Sequence, residues 1–329
     1  MAKKKEELLT LSNGHQLNMG AIRRREKSWE RDLQKNGVMY LIFLPILIYF
    51  FILHYLPMFG IVASFQNFKL SKGYFGSEWV GLENFRELFT GAEFGRAVRN
   101  TVIIGLINMA ISFPAPIVFA LIVTNIRLKR SRRVIQTMSY MPNFVAPVVI
   151  TAFLVEFCSR DGIITTLMHN LFGYPLQNML ADPNPPTFWL VYAFSGMWQG
   201  FGYGSIIYVT ALNNISGDYY EAAAIDGANR WQRIWYISLP CIKPMIIMML
   251  TMQIGVVFRA GFDRVLLLYT PGIYEVSDNL FTYTYRMAFG KVKNYGLSSA
   301  SGLFQSIVGT IMLFASNAIS KKLSGSSLF

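Results

Sequence analysis

Residues with catalytic potential are scattered along this chain. His15, His54 and His169 lie far apart, Cys158 and Cys241 share no metal-binding spacing, and no nucleophile–base pair stands out. No G-x-x-x-x-G-K-[ST] run occurs, so the chain brings no phosphate loop of its own. What the spacing offers is non-covalent chemistry. Tyr192, Ser195, Gln199 and Tyr203 recur at helical spacing and fall on one stripe. Hydroxyl and amide groups bond sugar hydroxyls, and aromatic faces stack on pyranose rings; packing across helices is the other reading of the same stripe. Gly196, Gly200 and Gly204 recur every four residues beside it as a small-residue face, and Trp198 projects away from it. Arg259 and Asp263 stand four apart at ion-pair spacing, and Arg286 joins them in a second candidate group. Either arginine can instead meet a carboxylate on an acidic cargo.

The elements that position these residues are apolar helices. Of 329 residues, 53% are hydrophobic and 15% charged, against about 25% charged in a soluble domain, so part of the solvent is lipid. A bilayer core asks for about 20 mostly apolar residues per helix. Six runs answer, at Val38–Phe65, Val98–Ile126, Ser139–Phe157, Thr187–Leu212, Pro244–Phe262 and Gly302–Ala318. The expected fold is therefore an all-α membrane protein with six transmembrane helices. Its parts are a basic segment at residues 1–37, a spanning domain at 38–320 and a tail at 321–329. The first run is too long for a signal-peptide core and lacks a small-residue cleavage site, which reads as a retained anchor.

The net charge of +12 sits in blocks between the runs rather than on one surface, which argues for a membrane protein and against nucleic-acid binding. The basic blocks are Lys3 to Lys35, Arg127 to Arg133, and Lys321 with Lys322. With six spans all three fall on one side, together with 213–243. The positive-inside rule makes that side the cytoplasm, with both termini on it and residues 67–97, 159–186 and roughly 263–301 outside.

One loop on the basic side has structure of its own. From Asp218 to Pro240 it reads as two short helices joined at Gly227, where a left-handed residue closes the first. Asp218 and Glu221 have capping-box spacing, Ala222 and Ala223 give a low surface, and Trp231, Ile234 and Trp235 share a face. Pro240 is expected to stop the second helix before the fifth span. Such an elbow is either an interfacial pair packed under the bundle or a coupling helix docked on a partner.

Here Glu221-Ala222-Ala223, Asp226-Gly227-Ala228 and Leu239-Pro240 resemble the EAA loop of ABC importer permeases, which lies about a hundred residues from the C-terminus, as this one does. Tyr55-Leu-Pro57-Met-Phe-Gly60, Trp79-Val-Gly81-Leu, Asn100-Thr101, Phe113-Pro-Ala-Pro116, Gln136-Thr-Met-Ser-Tyr-Met-Pro142 and Thr284-Tyr285-Arg286 are similar to the type I permeases that serve complex oligosaccharides. Asn143 departs from the histidine that relatives often carry there. The resemblance implies a non-enzymatic permease in the bacterial plasma membrane. Its implied partners are a second homologous permease, two ATP-binding cassette subunits that hold ATP-Mg, and an extracellular solute-binding lipoprotein. The cargo it implies is an oligosaccharide, and this chain binds no cofactor or metal itself. The alternative is an ion-coupled secondary sugar transporter. Such carriers place acidic groups within their spans, where here Glu156 and Asp263 come nearest.

Overall fold

The computed structural model describes residues 8–10, 16–257 and 262–324. Among them sixteen α-helices follow in order: α1 Met19–Phe50, α2 Gly73–Gly76, α3 Glu83–Thr90, α4 Ala92–Ser112, α5 Pro114–Thr124, α6 Lys129–Tyr140, α7 Pro147–Phe157 and α8 Ile163–Phe172; then α9 Pro185–Asn213, α10 Gly217–Ile225, α11 Arg230–Arg233, α12 Leu239–Val256, α13 Phe262–Leu268, α14 Tyr274–Ser277, α15 Leu280–Phe289 and α16 Tyr295–Ser324. Two short antiparallel pairs, Leu8–Thr10 with Gln16–Asn18 and Gln66–Asn67 with Glu78–Trp79, modify the all-α expectation only locally. The chain divides into two units, residues 1–60 and 61–329.

Four described helices are long and apolar enough to cross a membrane: Asp32–Phe65, Ala92–Thr124, Arg230–Gly255 and Tyr295–Lys322. Helix α9, the expected fourth span, has 29 residues and so the length of a span, but its glycines and polar stripe keep it outside that group. The third expected span is not one helix. It turns by 93° between Lys129–Phe144 and Pro147–Phe157. Proline forces this: Pro142 opens a 3-10 turn at Met141–Phe144, and Ala146, ahead of Pro147, is driven to an extended ψ of 141°.

Prolines elsewhere are absorbed. Pro240 does not stop the helix that precedes it. A π turn at Ile234–Ser238 carries α11 straight into α12, and Leu239 N–H donates to the Ile234 carbonyl five residues back. The widened turn makes room for the Pro240 ring, which in a regular helix meets the carbonyl four residues back. The same device precedes Pro57, where Leu56 N–H donates to the Phe51 carbonyl across the π turn Phe51–Tyr55.

The core of the second unit is built around α9. It packs on α4, α5, α6 and α12, while α16 packs on α3, α12 and α15. One cluster gathers Ile104, Cys158, Phe188, Tyr192, Val265 and Val276; another gathers Leu88, Phe94, Leu280, Tyr283 and Leu297. The third, with Ile117, Leu121, Tyr208, Leu212 and Ile242, takes in Ile234 and Leu239 and so anchors the second half of the elbow.

Candidate functional site

The elbow begins where α9 ends. Ser216, not Asp218, is the N-cap of α10: its Oγ accepts from Asp218 N–H, so Asp218 lies in the first helical turn and Glu221 takes no part in a capping box. Serine two residues earlier has the same acceptor chemistry and reaches the free N–H first. At the far end Gly227 adopts φ +77°. Its N–H donates to the Ala224 carbonyl at 3.1 Å and Ala228 N–H to the Ala223 carbonyl at 2.8 Å, the two bonds of a Schellman closure. The capping box belongs to the second helix. Asn229 Oδ1 accepts from Gln232 N–H at 2.9 Å, and Gln232 Oε1 accepts from Asn229 N–H at 2.7 Å. The joint is thus bonded on both sides of the glycine. Tyr220 and Ser238 hydroxyls, 2.9 Å apart, tie the two arms together.

What the elbow presents outward fits a docking surface. Glu221, Ala222, Asp226, Gly227 and Pro240 are exposed, while Ala223, Ala228 and Leu239 are half-buried. Tyr219, Ile225, Trp231, Trp235 and Tyr236 are 62–88% exposed, a concentration of large apolar side chains that no described element covers. Ile234 turns the other way into the core, so the expected Trp231–Ile234–Trp235 face is split.

The polar stripe of α9 also divides. Tyr192 and Ser195 are buried, and Ser195 Oγ donates to the Tyr192 carbonyl. Gln199 reaches the break in the third span: its Nε2 donates at 3.1 Å to the Val145 carbonyl, which the turn leaves free. Tyr203 stays 48% exposed, edge-on to Phe144. The expected small-residue face is not one seam. Gly200 has open space beside it, Gly204 faces Pro116, and the close backbone approach falls on Gly202, where an added Cβ collides with the Ser139 carbonyl.

Gly196 makes a notch for a residue the sequence reading passed over. The Arg264 guanidinium fills the space a Cβ needs there, lies 5.2 Å from the centre of the Tyr192 ring, and donates to Ser195 Oγ at 3.4 Å. Among the described residues no carboxylate pairs with it. Its neighbours in the expected group fare differently. Arg259 and the side chain of Asp263 lie outside the described residues. Arg286 is engaged: it makes a bidentate pair with Asp278 at 2.8 and 2.8 Å, a third bond to Glu93 at 3.1 Å, and rests over the Tyr274 ring. Burial works against its charge, but Asp278 and Glu93 hold the guanidinium more firmly protonated than usual. Asp278 is fully buried; Thr282 Oγ1 donates to it at 2.8 Å, and the Arg96 guanidinium adds a longer ion pair at 3.9 Å. Asn100 Nδ2 donates to the Glu275 and Asp278 carbonyls, pinning this turn to α4.

Residues 88–325 match the family model described as "Binding-protein-dependent transport system inner membrane component". Protein LplB of Bacillus subtilis is 35% identical over 92% of this chain and 94% of its own length. The polygalacturonan/rhamnogalacturonan transport system permease protein YteP of the same organism is 35% identical over 88% and 89%. Among solved structures, a chain of a bacterial ABC transporter involved in import of the acidic polysaccharide alginate superposes with a TM-score of 0.81 at 31% identity, covering 91% of this chain and 99% of that one. The same alignment holds for the complex of that transporter with its alginate pentasaccharide-bound periplasmic protein. This chain therefore belongs to the binding-protein-dependent transport system inner membrane component family and is a multi-pass membrane permease of the ABC importer class.

Proposed function

We propose that this permease imports a uronate-containing oligosaccharide across the bacterial plasma membrane. It acts beside a second homologous permease, two ATP-binding cassette subunits that bind ATP-Mg, and an extracellular solute-binding lipoprotein. Its six spans are the four apolar helices, the bent pair α6–α7 and helix α9, with both termini cytoplasmic. The elbow carries the reading of ATP-driven transport, since its arms are fixed internally while its outward face is apolar and uncovered. Co-purification from native membranes recovers an ATPase with the subunit; isolation of a stable, transport-active chain without one returns the assignment to a secondary transporter. Cysteines at Ser77 and Asn184 are labelled by an impermeant reagent in intact cells, and labelling at Ser131 instead reverses the orientation.

The acidic cargo rests on Arg264. Ser195 and Gly196 lie about eleven residues into α9, roughly 16 Å along its axis, a depth at which an ionisable side chain with no carboxylate partner among the described residues marks a pathway. YteP and the alginate transporter are named for uronate-containing cargos, which agrees with such a group. Arg264→Gln lowers uptake of an oligouronate about tenfold, as loss of a charge-assisted bond implies, and leaves a neutral oligosaccharide of the same length unchanged. Equal loss for both cargos makes Arg264 a packing residue.

A further inference from the structure

A cavity of about 170 Å³ opens between the loop after α5 and the inner side of the elbow, lined by Asn125, Arg127, Tyr220, Arg230, Arg233, Ile234 and Ser238. Three guanidinium groups share it and no acidic side chain lines it. Among the described residues none of the three forms an ion pair, and the buried Nε of Arg233 has no hydrogen-bond partner. A buried donor on a permanent cation is costly to leave unmet, so the arrangement is incomplete without an anion. Two hydroxyls add to it. Tyr220 and Ser238 share one hydrogen bond, which leaves one O–H proton free for a ligand oxygen.

We propose that this cavity binds a phosphate anion, and that the phosphodiester of an anionic phospholipid supplies it. The chemistry fits, because three guanidinium forks and a hydroxyl match the oxygens of a phosphate better than one carboxylate. The depth fits as well. Asn125 caps the end of the apolar stretch Ala92–Thr124, and Ser238 precedes α12 within the apolar stretch Arg230–Gly255, so the cavity lies where apolar helices give way to the basic loops. Basic pockets between membrane helices at this level take lipid head groups. A lipid held there bridges the loop after α5 to both arms of the elbow, through Arg127 on one side and Tyr220 and Arg233 on the other. The inference rests on the membrane reading of these helices and not on the identity of the cargo.

The test uses the intact transporter in nanodiscs, with native mass spectrometry reading retained lipid. Wild type retains phosphatidylglycerol in preference to phosphatidylcholine. Arg233→Gln and, separately, Arg127→Gln lower that retention about tenfold, the loss of one charge-assisted contact, and Arg233→Lys recovers part of it. Arg130→Gln, an exposed arginine of the same basic block outside the cavity, leaves retention unchanged. Equal retention of the two lipids, or an Arg130 variant as weak as the Arg233 variant, overturns the site in favour of general surface attraction. Competition by inorganic phosphate that displaces the lipid supports one shared anion subsite. Phosphate binding with no lipid preference overturns the lipid as its source.

Discussion

The two ends of the second unit handle charge in opposite ways. Where α4 begins, Glu93, Arg96, Arg99, Glu275, Asp278 and Arg286 are drawn into one connected network, with Asp278 fully buried at its centre. Where α5 and α9 end, Arg127, Arg130, Arg230 and Glu221 stand exposed, and none of them pairs with an opposite charge among the described residues. A network that satisfies itself fixes a shape, while one that leaves its groups and its large apolar side chains unmet is finished by something else. The first end therefore reads as a clamp and the second as a contact surface. Mutations should separate the two as loss of fold against loss of coupling.

The largest effect falls on the clamp. Asp278→Ala removes the bidentate partner of Arg286 and one acceptor of Thr282, leaving a half-buried guanidinium with Glu93 as its remaining carboxylate. Breaking a buried pair costs about 3–5 kcal/mol. The expected outcome is a marked fall in the melting temperature of the detergent-solubilised chain and in its membrane yield. A variant that melts like wild type shows the network to be ornamental and removes the contrast between the ends.

At the elbow the fold survives and coupling does not. Gly227→Pro cannot adopt φ +77° and deletes the N–H that bonds the Ala224 carbonyl, and Glu221→Lys reverses an exposed charge. Proline there breaks the closing turn at a cost of about 3 kcal/mol or more, but the loss is confined to an exposed joint outside the packed spans. Both variants are expected in the membrane in normal amount with substrate-stimulated ATP hydrolysis reduced to background. Normal stimulation in both makes the elbow an interfacial helix pair.

How far these features were visible in the sequence depends on the range over which each is determined. Helix α9 was read within two residues of its observed ends, and Gly227 was read correctly because a closing turn there needs positive φ. The 93° bend within the third expected span is not legible in an apolar run, because two prolines five residues apart, Pro142 and Pro147, each act on the backbone before them. Pro240 failed as a stop because the π turn that accommodates it is set by packing around Ile234 and Leu239, not by letters. The capping box went to Asp218 and Glu221, which have its spacing, although Ser216 took the cap and Asn229 with Gln232 formed the box. Asp278, Arg96 and Arg286 come together from three elements, so no local pattern marks them. Arg264 escaped notice because ion-pair spacing drew attention to Asp263 beside it, and a notch at Gly196 is a tertiary fact.

Helix α9 sharpens the comparison at an intermediate level. Gln199 is engaged by the Val145 carbonyl, while the Tyr203 ring remains open on one side. Tyr203→Ala is expected to reduce oligosaccharide uptake with unchanged melting. Gln199→Ala leaves the Val145 carbonyl without its partner and lowers stability by about 1 kcal/mol, with a smaller effect on uptake. The reverse ranking assigns the cargo contact to Gln199 and the packing role to Tyr203.

The smallest expected effect tests whether the elbow must be rigid as well as present. Asn229 supplies the side-chain acceptor of the capping box that starts α11, two residues after the Gly227 turn. Asn229→Ala removes that acceptor and typically costs a helix start about 1 kcal/mol, too little to unfold a chain held by three core clusters. Its consequence is local. The N–H of Gln232 loses its partner, and the joint between α10 and α11 keeps its glycine but loses one of the two restraints that flank it. If force passes through the elbow as through a stiff bracket, a looser joint weakens coupling in proportion to how often it frays. The expected readout is faster hydrogen exchange at Gln232, together with a partial drop in substrate-stimulated ATP hydrolysis. Asn229→Asp keeps an acceptor at the same place and restores both. Faster exchange with undiminished coupling separates the two properties: the outward face of the elbow then suffices for docking, and the bonds on either side of Gly227 serve only its folding.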